Sequence, residues 1–185
     1  MIIRCFVLAL LTLSFIYGCD LKVADEKSRE RQQMTHPNSM PAVSPARETT
    51  PVSSTGDAAD DPAIWHTPDE DILILGTDKK SGLNVYSMTG DLRQFLAIGR
   101  VNNVDLAGSL AFATNRTTGT IDVLQLGRDK KVSMIASYPL PFSDPYGVCA
   151  FLHDGLVHVY AGDKSGRLQY RAFSELGALV DEREE

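Results

Sequence analysis

Cysteine is scarce in this sequence, with three residues in 185, at positions 5, 19 and 149. So few cysteines exclude a disulfide framework, and none of them has the paired spacing of a zinc site. The sequence also lacks the G-x-S-x-G, G-x-x-x-x-G-K-[ST] and H-E-x-x-H motifs of serine hydrolases, nucleotide-binding proteins and zinc proteases. The Cys-x₅-Arg and R-H-G motifs of phosphatases with a covalent intermediate are missing too, so we expect no phosphoryl-enzyme chemistry.

Positive charge is in deficit, because 18 Lys and Arg residues face 24 Asp and Glu residues and the net charge is −6. An acidic balance argues against nucleic acid as a partner, since binding to its backbone needs a basic surface. Any anionic ligand must therefore be held by local cations or by metal ions.

Long hydrophobic runs are absent except at the N-terminus. The apolar run from Cys5 to Tyr17 follows Arg4 and is shorter than the roughly 20 residues of a membrane span, which is typical of an export signal. The residues before Cys19 are similar to a bacterial lipoprotein cleavage box, and the alternative is an ordinary signal peptide cut nearby. We expect residues 1–19 to be a signal peptide, Cys19 to carry a lipid that anchors the protein to a membrane, and the location to be the cell envelope, periplasmic or surface-facing.

Large apolar residues are also few between positions 20 and 54, where Pro, Ser, Thr and charged residues dominate. This composition predicts a disordered tether over residues 20–54. The folded domain is then expected over residues 55–185. Cys149, in the apolar stretch GVCAF, is predicted to be a buried, inert thiol.

Helical periodicity is missing as well. From Asp57 onward, short apolar runs alternate with period two and are broken by Gly, Asp and Asn, which predicts an all-β domain. The predicted strands lie near residues 62–66, 71–76, 82–88, 92–98, 104–107, 110–114, 119–126, 131–138, 146–152, 156–161 and 167–173.

What the sequence does contain is a repeat. Three segments share one design of apolar strand, polar cationic turn, glycine and second strand: ILILGTDKKSGLNVYSMTGD, LAFATNRTTGTIDVLQLGRD and VHVYAGDKSGRLQYRAFSELG. Their turn glycines, Gly82, Gly119 and Gly166, are 37 and 47 residues apart, close to the length of one propeller blade. The repeat predicts a β-propeller fragment of about three four-stranded blades.

Polar residues of the three repeats should meet at one end of the sheets. In an antiparallel meander, the turn between the second and third strands lies at the same end as the connection to the next blade. The residues expected there are Asp57, Asp60, Asp61, Asn102, Asn103, Asp105, Asp144 and Tyr146 on the connections, with Lys79, Lys80, Arg116 and Lys164 on the turns. Cations that converge repel one another unless an anion or carboxylates compensate, so this end is a candidate anion site.

The carboxylates of DAADDP, Asp57, Asp60 and Asp61, have two interpretations. Asp before Pro commonly starts or caps a turn. Adjacent carboxylates also suit Ca²⁺, which accepts carboxylate and carbonyl oxygens in flexible geometry.

Several of these stretches resemble the β-propeller (alkaline) phytases, in the same order and at similar spacing: DAADDPAIW, GTDKKSGLNVYSMTGD, GRVNNVDL, TNRTTGTI, YGV and GDKSG. The resemblance covers residues 57 to about 171. It implies a six-bladed propeller that hydrolyses phytate, inositol hexakisphosphate, at a cleft lined by Ca²⁺. It also implies direct attack of a metal-activated water on phosphorus.

The resemblance also assigns roles to residues. Phosphates of the substrate would contact Lys79, Lys80, Arg116 and Lys164, with Tyr146, Lys79 and Arg116 at the cleavage site. The calcium ligands that it implies are Asp60, Asp61 and the carbonyls of Pro62 and Val104. Asn103 and Asp105 are further candidate metal ligands, and the alternative is that they are Asx-turn residues. Ser165 departs from the pattern, because some members have Glu there.

The sequence ends after three repeats, whereas propellers close with four to eight blades. We therefore expect a partial sequence that lacks phosphatase activity on its own. Two other functions stay open: a non-catalytic exported propeller lipoprotein that binds phosphorylated ligands, and a structural propeller with calcium bound only to its scaffold.

Overall fold

The computed structural model describes residues 44–184. The predicted signal peptide, the lipidated Cys19 and most of the predicted tether lie outside the described residues. Within residues 44–184, no helix is long and apolar enough to cross a membrane.

The described chain folds into three antiparallel sheets, each a four-stranded meander in which consecutive strands are neighbours. The first sheet contains β1 (Ala59–His66), β2 (Ile72–Asp78), β3 (Gly82–Ser87) and β4 (Leu92–Leu96). The second contains β5 (Val101–Ala107), β6 (Leu110–Asn115), β7 (Thr120–Leu126) and β8 (Val132–Pro139). The third contains β9 (Pro145–His153), β10 (Leu156–Asp163), β11 (Leu168–Ser174) and β12 (Leu179–Glu184).

This architecture confirms the predicted all-β class and the three blades. All eleven predicted strands are present, while β12 was not predicted. Its sequence LVDERE is mostly exposed and lacks the apolar alternation that marks a half-buried strand. Pairing with β11 forms it instead, since Tyr170 lies opposite Arg183 and Arg171 opposite Glu182.

The core lies between the sheets, in two layers of apolar side chains. One layer joins the first and second sheets and includes Leu75, Val85 and Leu124. The other joins the second and third sheets, where the rings of Phe112 and Phe173 pack with centroids 5.0 Å apart. The first strands of the sheets also approach one another, because β5 contacts both β1 and β9. The sheets are therefore stacked face to face with their first strands together, as blades are in a propeller.

Cys149 is exposed, which corrects the predicted buried thiol. It lies on β9, on the face of the third sheet that points away from the second sheet. Aromatic rings cover part of this face. Phe151 stacks on His158 with centroids 5.2 Å apart, and Tyr160 packs on Tyr170 at 5.3 Å. Only one face of this strand therefore packs into the core, and Cys149 lies on the other face.

Residues 48–55, here called the strap, differ from the tether predicted up to residue 54. The strap has no regular secondary structure but runs along the first sheet. At one end the amide of Thr50 donates to the carbonyl of Gly90 at 2.8 Å. At the other end the amide of Ser54 donates to the Asp78 carboxylate at 3.3 Å. The folded domain therefore begins before residue 55.

Candidate functional site

The predicted site residues lie where the first strand of each sheet is irregular. The pairing of first and second strands shifts between Ala59 and Pro62 in the first sheet and between Val101 and Val104 in the second. In the third sheet the shift falls between Ala161 and Asp163. Bulges turn side chains out of the alternation of a strand. All three shifts lie at the end of the sheets that carries the cationic turns, called the cationic end below.

In the first sheet, Lys79 lies between two carboxylates. Its Nζ is 2.7 Å from Asp57 Oδ1 and 3.6 Å from Asp60 Oδ1. The hydrogen bond to Asp57 raises the pKa of Lys79, and the same bond lowers the pKa of Asp57. The pair is therefore ionised throughout the physiological pH range.

Asn102 connects the first sheet to the second. Its Nδ2 is 3.5 Å from Asp60 Oδ2 and donates to Asn103 Oδ1 at 2.7 Å. Its Oδ1 accepts from Arg116 Nη1 at 3.4 Å. The side chain is 1% exposed, so the amide is fixed between the carboxylate of one blade and the guanidinium of the next.

Asp144 connects the second sheet to the third. Arg116 Nε donates to Asp144 Oδ1 at 2.5 Å, and Lys164 Nζ lies 3.6 Å from Asp144 Oδ2. The Lys164 ammonium also lies over the Tyr146 ring, 5.1 Å from its centroid, which is a cation–π distance. One series of contacts therefore joins Lys79, Asp60, Asn102, Arg116, Asp144 and Lys164 across all three blades.

Lys80 is held apart from this series. Its Nζ donates to the carbonyl of Thr55 in the strap, and its backbone amide donates to Asp78 Oδ1 at 3.0 Å. Burial alone would raise the pKa of Asp78, but hydrogen bonds from Ser81 and Ser54 outweigh it and lower the pKa. The strap and the Lys79–Lys80 turn therefore share a buried, ionised carboxylate.

Buried threonines align successive first strands beneath the charged groups. Thr77 Oγ1 accepts from the Asp61 amide at 2.9 Å and donates to the Asn102 carbonyl at 3.1 Å. In the second sheet, Thr114 Oγ1 accepts from the amide of Asn103 at 3.2 Å and donates to the carbonyl of Tyr146 at 2.5 Å. Each hydroxyl thus bridges its own blade to the next one, a contact for which the sequence contains no signal.

The carboxylates of Asp61 and Asp105 also cross between blades. Asp61 Oδ2 accepts from the Val104 amide at 2.9 Å, and Asp105 Oδ2 accepts from the Ala150 amide at 2.7 Å. Asp105 Oδ1 accepts in addition from the amide of Leu106 at 2.8 Å. Both oxygens of Asp105 are therefore engaged by backbone amides, whereas Asp61 Oδ1 makes no hydrogen bond within residues 44–184.

The predicted calcium ligands include side chains and backbone carbonyls of the first two sheets. Pro62 lies on β1 opposite Gly76, and Val104 lies on β5 opposite Ala113. Carboxylate, amide and carbonyl oxygens are the donors that Ca²⁺ prefers, so their chemistry fits this ion. Among the described residues, however, no three Asp, Glu, His or Cys side chains form a group that could hold a metal. Protein ligands from this part of the chain would thus be a partial coordination shell, and the calcium assignment stays a prediction.

Cationic turns and acidic connections lie at one end of three stacked four-stranded sheets, which is the architecture of a β-propeller fragment. The sequence model of the Phytase family matches residues 6–151, and the chain belongs to this family. A 3-phytase of Bacillus subtilis (strain 168) is 43% identical over 97 residues, which cover 45% of this chain and 25% of that protein. The chain thus spans about a quarter of the length of this relative.

One solved structure shares the fold. A candidate 6-phosphogluconolactonase from Bacteroides uniformis ATCC 8492 superposes with a TM-score of 0.52, covering 69% of this chain and 41% of that chain. At 13% identity the match concerns the fold alone.

Proposed function

We propose that this chain is part of a calcium-dependent phytase, which hydrolyses phosphomonoesters of inositol hexakisphosphate or another phosphorylated inositol. The observation that carries the proposal is the contact series at the cationic end, where Lys79, Arg116 and Lys164 come from three successive blades. A multiply phosphorylated ring presents several anions at once, and cations spaced across blades suit such a ligand better than a single phosphate.

The side chains differ in what they offer a phosphate. The guanidinium of Arg116 is fixed at Nε and Nη1, while its Nη2 makes no hydrogen bond within residues 44–184. A planar fork with a free edge suits a phosphate oxygen. Lys79 and Lys164 are point charges, and Tyr146, which is 41% exposed, lies beside Lys164. We assign Tyr146, Lys79 and Arg116 to the cleavage site, with Lys80 and Lys164 binding further phosphates.

Calcium completes the proposal. Asp60, Asp61, Asn103 and the carbonyls of Pro62 and Val104 would contribute oxygen ligands, and Asp105 would contribute if its amide contacts rearranged. A bound Ca²⁺ would polarise an attacking water and offset charge on the phosphate oxygens. The cationic side chains would orient the phosphoester for in-line attack.

Export belongs to the same proposal. The N-terminal pattern of residues 1–19 supports a lipoprotein whose Cys19 is acylated, located in the cell envelope and held at a membrane by its lipid. Labelling with a fatty-acid analogue should mark the protein and should fail for the Cys19→Ser variant. Labelling that persists in this variant would contradict the anchor.

The proposed activity is tested by phosphate release from inositol hexakisphosphate, measured on the complete protein with and without a calcium chelator. We expect release that the chelator abolishes. Lys79→Met should lower kcat/KM by about 10 to 100-fold, because it removes a charge-assisted contact. Lys131→Met is the matched control, since Lys131 is exposed at the opposite end of the sheets. Equal activity of both variants would refute the assignment of Lys79.

A binding module without chemistry is the second candidate. The recurrence of a cationic turn in every described blade favours it, because capture of an anion needs no more than these charges. Affinity for inositol hexakisphosphate without phosphate release from the complete protein would support this function over phytase.

A further inference from the structure

Asp144 has an unusual place at the cationic end, because its carboxylate contacts two cations from different blades. It lies just before β9, and its side chain is 35% exposed. Oδ1 accepts from Arg116 of the second sheet, and Oδ2 faces Lys164 of the third sheet. No other carboxylate in residues 44–184 contacts cations from the second and third sheets together.

The Arg116 guanidinium is oriented by two contacts on one side. Nε binds Asp144, and Nη1 binds the buried amide of Asn102 at 3.4 Å. Two contacts at different nitrogens fix both the position and the plane of the guanidinium group. The Arg116 side chain is only 17% exposed, so its remaining donor edge has a restricted range of directions.

The same carboxylate determines where Lys164 lies. The Lys164 side chain is 55% exposed and long, so it would extend into solvent without a nearby partner. Asp144 at 3.6 Å and the Tyr146 ring at 5.1 Å keep its ammonium beside the connection to β9. Asp144 also offsets the repulsion between two cations that share one region.

We propose that Asp144 is a positioning residue of the phosphate site, which holds Arg116 and Lys164 so that both address one phosphorylated ligand. The proposal rests on the proposed function, since it assumes that this end binds phosphate groups. The opposite effect is competition, in which a carboxylate beside two cations repels the incoming anion. The two effects predict opposite changes in affinity when the charge of Asp144 is removed.

The experiment uses the full chain and two readouts. Binding of inositol hexakisphosphate is measured by calorimetry, and the Arg116 Nε–H signal is followed by ¹⁵N NMR after assignment with Arg116→Lys. The test variant is Asp144→Asn. The control is Asp154→Asn, which makes the same change of charge on the opposite end of the third sheet. Asp154 has a φ of 48°, a conformation that Asn tolerates.

If Asp144 positions the cations, Asp144→Asn weakens binding about tenfold, because a charged hydrogen bond that orients the fork is lost. The Arg116 Nε–H signal shifts and exchanges faster, while Asp154→Asn changes neither readout. Asp144→Glu keeps the charge and should restore most of the affinity. In an Arg116→Lys background, Asp144→Asn should lower the affinity by less than a further factor of about two. The reason is that the effects of two residues that act through each other are not additive.

Tighter or unchanged binding by Asp144→Asn would overturn the positioning role while leaving the phosphate site in place. An unchanged Arg116 Nε–H signal in Asp144→Asn would also overturn it. Absence of binding by the unmodified chain would reject the phosphate site and the positioning role together.

Discussion

The hydroxyl of Thr77 bridges the first two blades, and its removal should lower the free energy of unfolding. The residue is 1% exposed, accepts from the amide of Asp61 at 2.9 Å and donates to the carbonyl of Asn102 at 3.1 Å. Thr77→Val keeps the shape of the side chain but leaves one buried donor and one buried acceptor unpaired. Each costs about 1–3 kcal/mol, so we expect the free energy of unfolding to fall by about 2–6 kcal/mol.

Urea unfolding of the full chain checks this value. The midpoint should fall while the m-value stays constant, because the surface exposed on unfolding is unchanged. Thr114→Val should behave alike at the next interface, since Thr114 is 0% exposed and bridges Asn103 to Tyr146. Thr118→Val is the matched control, because its exposed hydroxyl meets only that of Thr120. A loss of less than about 0.5 kcal/mol in Thr77→Val, equal to the control, would refute the bridging role.

Two further predictions concern the strap. A Cβ on Gly90 would lie 2.1 Å from the carbonyl oxygen of Glu48, so Gly90→Ala should displace the strap and speed hydrogen exchange at the Thr50 amide; unchanged exchange would contradict the contact. The folded pKa of Asp78 is lowered, so its stabilising contribution is complete above pH 3.8 and is lost as the pH falls through the lowered pKa. In the wild-type chain, the Ser54 amide should therefore lose its protection from hydrogen exchange at acid pH. In the Asp78→Asn variant, the protection should already be lost at neutral pH.

The sequence was informative where local patterns determine the structure. The turn glycines Gly82, Gly119 and Gly166 repeat with the blades, and all three have positive φ. Gly82 is required by packing as well, since a Cβ there would lie 2.0 Å from the Leu96 carbonyl oxygen. Because these turns lie at a common end, the cations beside them could be expected to meet, and the contact series agrees with that expectation.

The features that the sequence did not predict depend on contacts between distant segments. The strap is polar and lacks periodicity, and its position depends on Gly90 and Asp78, which are remote in the sequence. Asp144 could be placed at the cationic end from the SDPYG stretch, but its partners Arg116 and Lys164 are visible only once two blades are stacked. The bridging role of Thr77 has no local signal either, because threonine is common in exposed strands.

The functional assignments also differ in how far the sequence alone predicts them. Membership of the Phytase family follows from motifs that are continuous in the sequence. The roles of individual ligands do not, since Asp105 looks like a metal ligand in the sequence yet binds two backbone amides in the structure. Carboxylates near backbone bulges can stabilise either a cation or an amide, and geometry alone distinguishes the two.

Trp65 is the only tryptophan of the chain, and it is 5% exposed within the apolar layer between the first and second sheets. Its fluorescence should therefore shift to longer wavelength when water enters this layer. A single intrinsic reporter thus follows the separation of the first two sheets and is not overlaid by tryptophan emission from the third.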